Sequence, residues 1–308
     1  MNRPPFSQLP YADVPELPRV PHRFWESAER TVRIDTPAWG ALDVSVRVFG
    51  GGPPLLLVHG LMTTSYSWRY VLPRLGERFT LYMPDLVGSG RSDKPDVRYR
   101  PDDLADSIGA TMRALEISGC PAVGNSMGGY LCMRLAMRDP SAMSRLVNLH
   151  SPGLVTPRNV ALSAAWRLLP RPESIVRALV GVAPERWVHR NVHYWDETLK
   201  SREEHREYAA PLKTSEGARA FARNLGDTLD VDEMRRFERS LKALRGSFPV
   251  PLRLVYAERD PMVPPEVGRR LHALLPEAEL VWLKHASHFA HVDATERFVD
   301  VVSDFLAR

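Results

Sequence analysis

The stretch AVGNSMGGY, Ala122 to Tyr130, sets one hydroxyl, that of Ser126, among three glycines and directly ahead of YLCMRLAMR, a run that reads as a helix. A serine beside glycines can be no more than a turn. Here Gly124-Asn125-Ser126-Met127-Gly128 fits G-x-S-x-G between a short strand and a helix, the setting in which a serine is held on a sharp turn. The glycines then serve a purpose: the turn strains the serine backbone, and neighbours two residues away approach too closely for side chains. The strand ahead, GCPAVG, is weakly marked, since Pro121 falls in it and few residues are β-branched.

Outward from that turn, short β-rich runs alternate with longer helical ones. ALDVSVRVFG, PLLLVHG and FTLYMPD precede it, with YSWRYVLPRLG and PDDLADSIGATMRALEI between them, and SRLVNLHSP follows. The alternation predicts an α/β fold with a mostly parallel central sheet and helices on both faces. After Gly153 about ninety residues turn helical and rich in Trp and Arg, before VPLRLVYAERD restores the sheet rhythm. The expected layout is a Pro-rich arm over 1–25, a core over 26–152 and 248–308, and a helical cap over 153–247. PPEVGRRLHALLP, AELVWLK and TERFVDVVSDFLAR close the core as helix, strand and amphipathic helix.

With 308 residues, 44% hydrophobic and 25% charged, the chain has the composition of a globular protein with a sizeable interior. Its net charge of +4 comes from 41 basic and 37 acidic residues scattered without a long single-sign block, which argues against a nucleic-acid partner. Cys120 and Cys132 are the two cysteines, too few for a disulfide framework. No run has the roughly 18 apolar residues of a membrane span, and MNRPPFSQLPYADVPELPRVPHRF lacks a signal-peptide core. A cytoplasmic location is expected.

An activated serine needs an oxyanion site, a base and an orienting acid. His59-Gly60-Leu61 ends a strand, so the Leu61 N–H can stand beside that of Met127 as a two-donor oxyanion hole. KHASHFAHVD offers His285, His288 and His291 as bases, and His288 is preferred because it falls between the last strand and the final helix. No ligand spacing in that segment suggests a metal. Asp260 and Glu258 both follow a strand, and Asp260, ahead of the turn-forming Pro261, is the preferred acid.

The order Ser126, Asp260, His288 and the motifs HGLMTTSYSW, DLVGSGRSDKP, GNSMGG, ERDPMVP and HASHFAHVD together resemble the α/β-hydrolase superfamily over nearly all of residues 40–308. The flanking motifs look like the haloalkane dehalogenase and epoxide hydrolase branch. That branch uses an aspartate nucleophile where this chain has Ser126, and its halide ligands are replaced here by Leu61 and Met127. GNSMGG also resembles serine hydrolases that cleave carbon–carbon bonds of ring-fission products, although their Trp after the histidine is here Phe289.

The resemblance implies attack by Ser126 on a small to medium hydrophobic carboxylic ester or thioester, through an acyl-enzyme and without metal or organic cofactor. Trp166, Trp187, Tyr194, Trp195 and Phe289 are the candidate pocket surfaces for that small-molecule substrate, with packing of the cap as their ordinary role. Carbon–carbon hydrolysis, a non-enzymatic ligand receptor, and a cofactor-free oxygenase or perhydrolase remain open on the same fold.

Overall fold

A computed structural model describes residues 4–308. Eight strands form one sheet in the order β1-β2-β4-β3-β5-β6-β7-β8: β1 Ala28–Thr36, β2 Gly40–Gly50, β3 Pro54–Val58, β4 Thr80–Pro84, β5 Ala122–Asn125, β6 Leu146–Leu149, β7 Leu252–Ala257 and β8 Glu279–Leu283. β1 with β2 and β2 with β4 are antiparallel, and the other neighbours are parallel. The weakly marked GCPAVG forms β5 over its last residues, with Pro121 just ahead of the strand and its carbonyl accepting the Leu56 N–H of β3 at 3.1 Å.

Strand burial explains the parallel centre. β5, β6 and β7 are buried at every position, as expected where helices cover both faces. In β3 the pleat divides its apolar run. Leu56 and Val58 join one core layer with α2 (Pro101–Ala114) and α3 (Met127–Arg138), while Leu55 and Leu57 enter the opposite layer with α1 (Leu72–Gly76). β1 lay outside the expected strands, and its residues are exposed or half-buried at the first six positions.

Between β6 and β7 the chain forms α4 (Pro157–Leu168), α5 (Pro172–Val182), α6 (Pro184–Asn191), α7 (Arg202–Ala209), α8 (Ser215–Thr228) and α9 (Val231–Ala243). The chain then adds α10 (Pro265–Leu274), α11 (Ala290–Asp293) and α12 (Thr295–Leu306) to the core. On α12, Phe298, Val302 and Phe305 recur at helical spacing and are buried in the layer that holds α1. Cys120 and Cys132 are both buried and unbridged. Among the described residues, no helix is long and apolar enough to cross a membrane.

Several contacts join the inserted helices to the rest, among them a buried ion pair and the packing of the arm. The fully buried Arg69 pairs with Glu204 of α7, which also accepts from Tyr194 Oη at 2.7 Å, while Arg69 reaches Tyr208 Oη at 3.4 Å. Residues 6–16 of the arm pack on α6, α7 and the segment between them, while His22 and Phe24 join the core side. Phe6 N–H donates to the Trp195 carbonyl at 3.2 Å, Gln8 to that of His189 at 3.1 Å, and the Arg202 guanidinium stands 3.7 Å from the centre of the Tyr11 ring.

Candidate active site

β5 ends at Asn125 and α3 begins at Met127, so Ser126 alone makes the strand-to-helix turn, at φ 53° and ψ −120°. This is a strained conformation for a side-chain-bearing residue. Its N–H is tied to the Leu149 carbonyl of β6 at 2.7 Å. A Cβ on Gly128 would fall 2.3 Å from the Val58 carbonyl oxygen, and one on Gly60 would fall 3.0 Å from the Ser126 Cβ. The glycines therefore let the β3 loop close onto the serine turn.

The loop after β3 is oriented by His59. Its Nε2 accepts the Leu86 N–H at 3.0 Å, so the neutral ring carries its proton on Nδ1 and donates it to the Gly60 carbonyl at 2.7 Å. Complete burial lowers the His59 pKa and keeps that ring neutral. Thr63 Oγ1 donates to the same carbonyl at 3.0 Å. Across a trans peptide the N–H points opposite to the carbonyl, so these bonds also fix the direction of the Leu61 N–H. The Met127 N–H opens α3, where first-turn donors lack intrahelical acceptors.

Asp260 follows β7 and is buried, whereas Glu258 is exposed. Its Oδ1 accepts the N–H groups of Met262 and Val263 at 2.7 and 2.9 Å, and its Oδ2 accepts from His288 Nδ1 at 2.7 Å. Burial alone would raise the carboxyl pKa. The facing imidazole and the backbone donors outweigh it and hold Asp260 below the usual carboxylate range.

Of the three histidines in the last loop, His288 is therefore the one paired with the buried acid. His285 lies against Trp195, and His291 is buried against Trp68. The loop is held to the serine turn by Asn125, whose Nδ2 donates to the His288 carbonyl at 3.1 Å. Among the described residues no hydrogen bond joins Ser126 Oγ to His288.

The aromatic residues scatter. Phe289 is buried and meets His288 and Tyr194 edge-on, with ring centres 5.3 and 5.6 Å apart. Trp187 meets Phe221 of α8 at 6.5 Å, and Trp166 covers Gly226 on the same helix. Trp195 packs instead with Phe6 of the arm, His285 and Arg259, an arrangement that serves the arm seam. Leu61 and Met62 face Phe221 and Leu212 across a cavity of about 20 Å³, which is room for a single water.

Sequence reasoning missed His150. It follows β6 at φ 52°, is fully buried, and brings a ring nitrogen within 4.8 Å of ligand-type atoms of Asp260 and His288. Its Nε2 accepts the Ala257 N–H at 2.8 Å. The signal available was LHSP, a polar residue at the mouth of a buried strand, which marks many strand ends.

The profile of the family described as alpha/beta hydrolase fold matches residues 53–295. A 2-hydroxymuconate semialdehyde hydrolase of Pseudomonas sp. (strain CF600) is 28% identical over 269 residues, covering 84% of this chain and 88% of the relative. A 2-hydroxy-6-oxo-2,4-heptadienoate hydrolase of Pseudomonas putida (strain F1) is 26% identical, covering 87% of this chain and 94% of that one. Among solved structures, a thermophilic esterase from Thermogutta terrifontis superposes with a TM-score of 0.73 at 20% identity, covering 90% of this chain and 98% of the esterase. At that identity the likeness is one of fold.

Proposed function

The chain belongs to the alpha/beta hydrolase fold family, and on that premise we propose that it is a serine hydrolase. Ser126 is the nucleophile, His288 its base, Asp260 the orienting acid, and the Leu61 and Met127 N–H groups receive the oxyanion. The observation that carries the reading is the buried Asp260–His288 hydrogen bond at the carboxyl edge of the sheet, in a loop pinned by Asn125 to the serine turn.

In this mechanism the Asp260 carboxylate fixes the His288 proton on Nδ1, leaving Nε2 as the acceptor for the serine proton. Attack on a carbonyl carbon places negative charge on its oxygen, and each oxyanion donor contributes about 3–4 kcal/mol. Collapse expels the leaving group, which takes the proton back from His288. Water, deprotonated by the same imidazole, then releases the acyl group.

A small to medium hydrophobic carboxylic ester or thioester is the proposed substrate class. The second reading is hydrolysis of a carbon–carbon bond in a ring-fission product, favoured by the likeness to the 2-hydroxymuconate semialdehyde hydrolase. A panel of aryl and alkyl esters, thioesters and vinylogous diketo acids, compared by kcat/KM, decides between them. An advantage of a hundredfold or more for the diketo acids would overturn the ester reading, and failure of a fluorophosphonate probe to label Ser126 would overturn both.

A further inference from the structure

Within the proposed triad one buried group has no assigned task. His150 sits at the end of β6, between the serine turn after β5 and the acid after β7, and is completely buried. Because Nε2 accepts the Ala257 N–H, the neutral ring must carry its proton on Nδ1. That Nδ1 has no completed hydrogen bond and lies toward the His288 backbone carbonyl. The same carbonyl is held from another side by Asn125 Nδ2. The residue also adopts a left-handed backbone, φ 52°, and is fixed there by its own N–H to the Val255 carbonyl at 3.0 Å.

A histidine serving only to fill space would gain nothing from a tautomer that leaves a donor unspent in the interior. We propose that His150 is a positioning residue for the triad, its locked Nδ1–H a donor reserved for the His288 backbone so that this loop seats against Ser126. The inference rests on the serine-hydrolase reading. The His288 carbonyl already takes one bond from Asn125 Nδ2, and the donor of His150 is available to add a second that fixes the loop. Burial lowers the His150 pKa to about 3, so the ring adds no competing positive charge near His288.

The groups facing this pair are Asp260 and Tyr256 from β7 and its loop, and His291 beyond His288. Two variants separate positioning from packing. His150→Asn tolerates a left-handed backbone and retains an N–H donor, whereas His150→Phe fills the space without one. The measured quantity is the rate of fluorophosphonate labelling at Ser126, resolved into kinact and KI, with thermal melting alongside.

The expected result is a kinact at least tenfold lower for His150→Phe at a KI within about twofold of wild type, with His150→Asn recovering most of the loss. Equal kinact in all three proteins would overturn the inference while leaving the serine-hydrolase reading intact. Equal losses in both variants, following a fall in melting temperature, would assign His150 to packing and also overturn it. No labelling of the wild type would overturn the reading itself, and the inference with it.

Discussion

Asp260 and His288 are buried with their mutual hydrogen bond intact and both carboxylate oxygens occupied. Leu168 and Val182, at the ends of α4 and α5, are 84% and 87% exposed. The carboxyl edge of the sheet fixes the Asp260 side chain by spending two backbone donors on it, and Asp260 in turn fixes the His288 ring. α4 and α5 bury few of their side chains, Ser163 on the first and Val180 on the second. α7 differs from both, with Glu204 sealed against Arg69.

Ser126→Ala tests the rigid side most severely. In steady-state assays on the best substrate, turnover should fall by roughly 10⁴- to 10⁶-fold, with the melting temperature essentially unchanged. Asp260→Asn should cost roughly 10³- to 10⁴-fold in kcat, by analogy with other triads, while Glu258→Gln stays close to wild type. A larger loss for Glu258→Gln would transfer the orienting role to the exposed carboxylate.

At the seam, Glu204→Ala leaves the Arg69 guanidinium buried without its partner. Urea unfolding should show a loss of about 3–5 kcal/mol. Asp293 probes the same boundary through pH, since it accepts the N–H of Ser287 at 3.2 Å and that of Trp195 at 2.7 Å. Burial pushes its carboxyl up to about 6. A raised acid pKa stabilises the fold below the unfolded value near 4, and that gain is lost as pH rises through about 6. The expected slope amounts to at most about 3 kcal/mol, and Asp293→Asn should flatten it in melts across that window. Smallest of all, Leu168→Ser should change stability by no more than about 0.5 kcal/mol, and a larger loss would show that this end of α4 is packed rather than exposed.

How much could be read in advance follows from what each element must bury. The serine turn was legible because close approach dictates glycines at fixed offsets. β1 was not, since AERTVRIDT is an edge strand whose early side chains are solvated, leaving no apolar alternation to find. Asp260 and His288 could be proposed from chain order, but only three-dimensional structure shows that Glu258 is exposed and that His285 and His291 turn elsewhere. His150 was illegible because its importance depends on a tautomer set by Ala257, more than a hundred residues away. Trp195 looked like a cap surface for substrate, yet its neighbours include the arm, a contact that no local pattern announces.

The arm carries a consequence for the order in which the protein is made. Gln8 leaves the ribosome long before His189, 181 residues later, and Arg202 follows further behind Tyr11. During synthesis the arm has nothing of its own to dock on, and closing so long a loop is entropically costly until α6 and α7 are already in place. On that ground the seating of residues 6–11 is expected only after α6 and α7 have formed, so their docking becomes a marker for those helices.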